Sequence, residues 1–290
     1  MSAARSQKRV AAIHDLSGFG RCSLTVALPI LSAAGINCAV MPTAALSTHT
    51  GGLGEFAYRD LTDGMLGWAR HWRRLGLSFD AVYSGFLGSS RQVEIIMEIR
   101  AMFGGGIFLV DPVMGDNGRL YPTFGEDFPG KMAKLCGAAD IITPNMTEAF
   151  LLTGRPYEEG PHDRACAGAM LGELARLFGE EKRYVITGIR TGDGGIGAAA
   201  LCRGVSGYSF AEFVPRFYPG TGDIFASALL AALLNGADLF EASKAGVDFT
   251  AACARRTCES GQDPRFGVQF ELELEQIVEL GKKHEIPPDF

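Results

Sequence analysis

The sequence predicts an α/β fold: a mostly parallel central sheet, helices on both faces, and antiparallel strands at one edge. Short continuous apolar runs recur along the chain, at Val10–Ile13, Cys38–Met41, Ala81–Tyr83, Ile107–Val110, Ile141–Ile142 and Tyr184–Ile186. Runs of this length suit strands covered on both faces, which is how parallel sheets are built. Helical patterns alternate with them, as in Arg91–Phe103, where Val93, Ile96, Met97, Ile99 and Met102 form the apolar set. After Gly188 the pattern changes: Asp193-Gly194 precedes Ile196–Cys202, and Gly204–Gly207 precedes Tyr208–Val214. Turn residues between short strands mark an antiparallel edge.

In chain order, Val10–Ile13 is a first buried strand that ends at the polar loop His14-Asp15-Leu16-Ser17-Gly18-Phe19-Gly20, ahead of a helix around 24–33. Loops at the carboxyl ends of parallel strands are where such sheets bind ligands, so Asp15 and Ser17 are candidate substrate contacts. Asp, Ser and Gly are also turn formers, and a plain turn would use them equally well. Cys38–Met41 leads into a segment, 44–54, of small residues closing with Gly51, Gly52 and Gly54. It reads as an exposed strand with a mobile, lid-like tip or as an ordinary surface hairpin. Asp111 follows one apolar run; Thr143 and Asn145 follow another, ahead of a helix over 146–152. A helix over 165–178 precedes the run that carries Thr187 and Gly188. Helices over 224–234, from Leu239 to about Cys258, and over 272–282 complete the fold, with a tail at 283–290. With no long linker and no internal repeat, a single domain over 1–290 is expected.

A chain of 290 residues with 47% hydrophobic content can bury a large core. Its net charge of −6, without a long Lys/Arg run, argues against a nucleic-acid partner. Seven scattered cysteines without a C-x-x-C pair fit buried thiols in a reducing compartment. Five histidines without H-x-x-x-H spacing make a zinc site unexpected. Residues Met1–Arg9 are polar, and the apolar helix after Ile224 is too short to span a bilayer. The expectation is a soluble cytoplasmic protein with no membrane partner.

The chemistry centres on Tyr218-Pro219-Gly220-Thr221-Gly222-Asp223, which runs straight into an apolar helix. Glycines allow a tight turn, and the free N–H groups and dipole of the helix start make an anion site. An aspartate there would repel a phosphate, unless its carboxylate takes a proton from a nucleophile while the backbone steadies the group under attack. The competing reading is an N-cap acid. Asp15, Ser17, Asp111, Thr143, Asn145, Glu148, Thr187 and Gly188 all fall near strand ends on the same edge and should converge with Asp223 on one crevice. Carboxylates and amides suit a hard cation such as Mg²⁺ held through water and phosphate. Asn145 and Glu148, three apart, would also form a capping box, and the two roles are compatible. There is no G-x-x-x-x-G-K-[ST] loop, no third glycine of a dinucleotide fingerprint, and no G-x-S-x-G elbow.

Gly220-Thr221-Gly222-Asp223 at a helix head resembles the signature of the ribokinase-like superfamily of small-molecule kinases, and Asn145-Met146-Thr147-Glu148 resembles its N-x-x-E motif. Within that superfamily, Asp111–Tyr121 and Ala139–Asn145 look most like the pyridoxal kinases, and Ser47-Thr48-His49-Thr50-Gly51 is similar to their S-N-H-T-G segment. The resemblance runs from about Val10 to Cys258. It implies a three-layer α/β/α sandwich that transfers the γ-phosphate of ATP to the 5′-hydroxymethyl group of pyridoxal, pyridoxine or pyridoxamine. Asp223 would be the base, and the N–H groups of Gly220, Thr221 and Gly222 the anion hole. Asp111, Asn145 and Glu148 would arrange Mg²⁺ and the phosphates, Asn145 and Glu148 holding the metal through water. Thr143, Thr187 and Gly188 would lie along ATP, while Thr50 and Gly51 would touch the vitamer or close over it. Relatives are usually homodimers, which is expected here by analogy.

The first loop departs from that pattern. Asp15-Leu16-Ser17-Gly18-Phe19-Gly20 looks more like the D-x-S-G-G-x-G loop of the hydroxymethylpyrimidine kinases. By charge alone, Asp15 would pair with a ring nitrogen or an amine and favour pyridoxamine or an aminopyrimidine. The nearest alternative is therefore a hydroxymethylpyrimidine (phosphate) kinase; a carbohydrate kinase of the superfamily is disfavoured by the Asp111–Tyr121 run, and a non-catalytic member that carries pyridoxal phosphate is the alternative from another class. Thr187 stands where some relatives carry a lysine, so no cation is expected there.

Overall fold

The computed structural model describes residues 6–283 of the chain. The first half contains β1 (Arg9–Ser17), α1 (Leu24–Ala33), β2 (Asn37–Leu46), β3 (Tyr58–Asp60), α2 (Thr62–Arg74), β4 (Ala81–Ser84), α3 (Ser90–Met102) and β5 (Ile107–Val110). A small hairpin, β6 (Gly115–Asp116) and β7 (Arg119–Leu120), leads to α4 (Phe128–Ala138), β8 (Ile141–Ile142), α5 (Met146–Thr153) and α6 (Arg164–Phe178). The chain continues through β9 (Arg183–Arg190), β10 (Gly195–Cys202), β11 (Val205–Glu212), α7 (Thr221–Leu234), α8 (Leu239–Glu259) and α9 (Leu274–Lys283).

Nine strands form one sheet in the order β11-β10-β9-β8-β5-β4-β1-β2-β3. The six from β9 to β2 are parallel, and β10 and β11 at one edge and β3 at the other are antiparallel. This is the mixed three-layer sandwich that the apolar runs predicted. Alternate residues of each strand face opposite layers. Val82, Phe108, Val110 and Ile142 pack into the core beneath α2 to α6, whereas Ala81, Tyr83, Leu109 and Ile141 pack beneath α1, α7, α8 and α9. Helix α7 is apolar nearly all round because it lies between α1 and α8 on the sheet, with no face left for water.

Several expected boundaries move. Strand β1 runs on to Ser17, so Asp15 and Ser17 belong to the strand's carboxyl end rather than to a loop beyond it. The reason is pairing: β2 extends beside it, placing Leu16 opposite Ala45 and Ser17 opposite Leu46. The expected exposed strand at 44–46 is consequently the end of β2, with Ala44 and Leu46 buried, and only 47–54 is bent chain outside the sheet. Val205–Gly207, expected as a turn, already belong to β11, and the turn is Arg203-Gly204, both with positive φ. A 3-10 turn over Phe270–Glu273 delays the last helix to Leu274. Helices α2 and α4 had no sequence expectation, because Gly64, Gly67, Gly130 and Gly137 dilute their helical signal. The tail expected at 283–290 lies, from 284 on, outside the described residues. Among the described residues, no helix is long and apolar enough to cross a membrane.

Candidate active site

Helix α7 begins at the carboxyl edge of the sheet without a side-chain cap. Its N-cap is Gly220, at φ 83°, and the first bond into the helix is from Ile224 N–H to Gly220 O at 3.1 Å. Thr221, Gly222 and Asp223 therefore begin the helix with N–H groups that have no intrahelical acceptor. A Cβ at position 220 would sit 2.1 Å from the Arg21 carbonyl oxygen, so both conformation and space demand glycine there. At Gly222 the nearest atom to an added Cβ is Asp111 Oδ2, at 4.0 Å. The Asp111 carboxylate therefore faces the helix start, at ordinary contact distance from where a side chain on Gly222 would begin.

Asp223 is the third residue of α7, not its N-cap. Its Oδ2 accepts the Ser23 N–H at 2.9 Å, across 200 residues of sequence. The Ser23 hydroxyl in turn donates to Asp15 Oδ1, and the Ser17 hydroxyl donates to Asp15 Oδ2 at 2.8 Å. Ser23 thereby joins two carboxylates from distant parts of the chain, and it does so at φ 54°, an unfavourable backbone for a serine. Asp15 is 4% exposed, and each of its oxygens already holds a hydroxyl. It orders Ser17 and Ser23, a role that the charge argument for a substrate amine had not included. Burial raises its pKa, against the pull of the Ser23 and Ser17 hydroxyls.

Burial also raises the Asp223 carboxyl, to about 7, with the Asp15 charge adding to it and the Ser23 N–H opposing. A carboxylate with that proton affinity is suited to general-base work near neutral pH. His14 Nδ1 lies 3.8 Å from Asp223 Oδ1, but burial depresses the imidazole pKa to about 3, so the two do not form an ion pair.

The second group of polar residues surrounds the start of α5. Asn145 Oδ1 accepts the Glu148 N–H at 2.9 Å and Glu148 Oε2 accepts the Asn145 N–H at 2.9 Å, a complete capping box. Asn145 Nδ2 donates to Gly115 O at 2.9 Å, and Glu148 Oε1 accepts the Met114 N–H at 3.1 Å. These bonds fasten the chain after β5 to the helix start. Burial lifts Glu148 to about 8 against those N–H donors, and burial followed by the Glu148 and Asp223 charges raises Asp111 well above the usual carboxylate range. Thr143 is buried between these groups, its N–H donating to Val110 O at 3.1 Å. Thr187 pairs with Asn145 in a parallel bridge and donates its N–H to Pro144 O at 2.9 Å. With Gly188, at φ 67°, it forms a bulge opposite Ala198, which turns this stretch of β9 out of the ladder.

Thr50 and Gly51 approach the same crevice from the bent chain after β2. They are exposed, and a Cβ on Gly51 would meet Pro219 Cβ at 3.8 Å, just ahead of the Gly220 turn. His49 holds them there. Its Nδ1 accepts the Gly51 N–H at 2.9 Å, which leaves Nε2 as the donor to Arg265 O at 2.7 Å. Its ring fills the space above Gly20, where a Cβ would lie 2.0 Å from Cδ2. The structure thus brings every expected site residue to one edge of the sheet, in two groups linked by Asp111. Ser23, His49 and Met114 had no expected role. A serine just before an apolar helical run reads as an N-cap, and only the tertiary contact exposes its other use.

Residues 71–266 match the model of the phosphomethylpyrimidine kinase family. A pyridoxine/pyridoxal/pyridoxamine kinase from Bordetella avium is 30% identical over 266 residues, 85% of this chain and 85% of that protein. The crystal structure of pyridoxal kinase from Lactobacillus plantarum superposes with a TM-score of 0.89 at 33% identity, covering 96% of this chain and 99% of the other. A candidate phosphomethylpyrimidine kinase from Bacteroides thetaiotaomicron, crystallised with pyridoxal, gives a TM-score of 0.86 at 34% identity over 98% of each chain. With these matches spanning both cores and the polar edge between them, the chain belongs to the phosphomethylpyrimidine kinase family, within the pyridoxal kinases of the ribokinase-like superfamily.

Proposed function

We propose that this chain, as a single-domain kinase, transfers the γ-phosphoryl group of ATP to the 5′-hydroxymethyl group of a B6 vitamer, with Asp223 as general base. The observation that carries this reading is the uncapped start of α7: N–H groups without a side-chain cap, a carboxyl raised to about 7 at the third helical position, and the Asp111 carboxylate facing Gly222. The vitamer hydroxyl gives its proton to Asp223 as its oxygen bonds to the γ-phosphorus. The bond from that phosphorus to the bridging oxygen breaks, and ADP leaves. The N–H groups of Gly220, Thr221 and Gly222 receive the charge on the transferring group, which is most of what phosphoryl transfer asks of a protein.

Asp111, Thr143, Thr187 and Gly188 border the space for ATP, and Ser17, Asp15, Thr50 and Gly51 border the space for the vitamer. Burial and then the Glu148 charge raise the proton affinity of Asp111, and a hard divalent cation fits such a pair of carboxylates. Asn145 and Glu148 would hold the metal through water. When bound, Mg²⁺ would supply charge neutralisation on the β- and γ-oxygens. A cytoplasmic location and a homodimer belong to the same proposal, the second by analogy with the family.

The family model and the Asp15–Gly20 loop keep a hydroxymethylpyrimidine substrate as the second reading. ATP consumption measured with pyridoxal, pyridoxine, pyridoxamine, hydroxymethylpyrimidine and ribose separates the possibilities. Turnover confined to the vitamers supports the proposal. Preferential turnover of hydroxymethylpyrimidine, or tight vitamer binding without turnover, overturns it.

A further inference from the structure

His14 has no part in the reading above, yet its surroundings are unusual. The side chain is fully buried within β1, edge-on to the Tyr83 ring at 4.2 Å, and neither ring nitrogen has a hydrogen-bond partner. Gly85 makes room for it: a Cβ there would lie 2.1 Å from His14 Nδ1. A neutral imidazole carries one N–H, and leaving it unpaired in the interior is costly. Asp223 Oδ1 lies 3.8 Å from Nδ1, too far for a hydrogen bond. The other oxygen of that carboxylate is already held by the Ser23 N–H.

We propose that His14 is a positioning residue whose Nδ1–H donates to Asp223 Oδ1 once both substrates are bound, fixing the plane of the catalytic carboxylate. The inference rests on the reading of Asp223 as the base. With Oδ2 held by the Ser23 N–H alone, a single hydrogen bond opposes rotation of the carboxylate about its Cβ–Cγ bond. A second donor on Oδ1 fixes that rotation and leaves the remaining lone pair of Oδ1 aimed at the vitamer hydroxyl. A closure of about 1 Å brings the pair into hydrogen-bond range, and catalytic hydrogen bonds often tighten in this way between the free enzyme and the Michaelis complex.

The test is steady-state kinetics of His14→Leu and His14→Asn beside the wild type. Leucine fills the space without a donor, whereas the asparagine amide nitrogen occupies nearly the place of Nδ1. His14→Leu should lose about 10- to 100-fold in kcat with KM for the vitamer nearly unchanged, the loss expected for a hydrogen bond to a charged group, and His14→Asn should recover most of it. Equal kcat in the two variants overturns the proposal. If neither variant folds, ¹⁵N NMR of histidine-labelled wild-type enzyme with a vitamer and a non-hydrolysable ATP analogue decides it. A proton on Nδ1 supports the assignment, and a proton on Nε2 overturns it. A wild-type rate in His14→Leu beside an inactive Asp223→Ala removes this inference alone, whereas full activity in Asp223→Ala removes the base assignment and this inference together.

Discussion

Helices α5 and α7 begin at the same edge of the sheet, and each has an acid at its third position, yet the two starts are built in opposite ways. In α5 the Glu148 carboxylate reaches back to the Asn145 N–H while Asn145 caps the Glu148 N–H. In α7 the N-cap is a glycine with nothing to offer, and Asp223, one methylene shorter, bonds instead to Ser23 in a different part of the chain. A capped start consumes its own donors and serves as a fixed wall. An uncapped start keeps its donors for whatever enters the crevice. Sequence position is the same in both; the cap residue decides the use.

The largest expected effect falls on the open start. Asp223→Ala should lower kcat by about 10²- to 10⁴-fold, the usual range for removing a general base, with little change in KM. Near-normal turnover would remove the distinction between the two helices. Gly220→Ala follows. It combines a left-handed backbone with a clash against the Arg21 carbonyl, and should cost several kcal/mol, roughly the upper range for single substitutions. Thermal melts that match the wild type would show that the turn can move aside.

Asn145→Ala tests the closed start. It removes a cap and a bond to Gly115 O, and should cost about 2 kcal/mol and lower Tm by roughly 4–8 °C. An unchanged Tm would mean that water replaces both bonds.

The smallest effect is on pH dependence. Asp223 is raised in the folded protein to about 7, so between its ordinary value of 3.8 and 7 the native state binds more protons than the unfolded chain. Its contribution to stability is therefore greatest at acid pH and declines as pH rises through that window. Melts of the unliganded protein from pH 5 to 8 should show this slope, and Asp223→Asn should make it shallower, with raised Glu148 supplying part of what remains. Activity should run the other way, with kcat/KM rising with pH towards neutrality as the carboxylate ionises. An acid limb near pH 4 would contradict the raised value.

Much of this was legible beforehand because it rests on local pattern. Apolar runs at Val10, Ile107 and Ile141 announced the parallel strands, since a strand buried on both faces has no polar period to show. The spacing of Asn145 and Glu148 announced the capping box. The glycines before Asp223 announced a helix start able to face an anion. Helices α2 and α4 were hidden by their glycines, and the end of β1 by its polar residues. Asp15 and Ser17 read as residues of a polar loop, open to substrate or plain turn alike, until β2 is laid alongside them.

By itself the sequence determined the layered α/β plan, the family, and the set of acids and glycines that gather at one edge of the sheet. The plan and the residue set follow from periodicity, turn chemistry and spacing within short windows, whereas the family rests on the resemblance of its motifs. Only the tertiary structure decided how those acids are employed. Asp15 is filled by two serine hydroxyls, Asp223 is held by the Ser23 N–H and raised towards neutrality, and His14 is sealed beside it without a partner. Burial and the pairing of residues 200 positions apart set proton affinity and orientation, and neither is written in any local stretch of the chain.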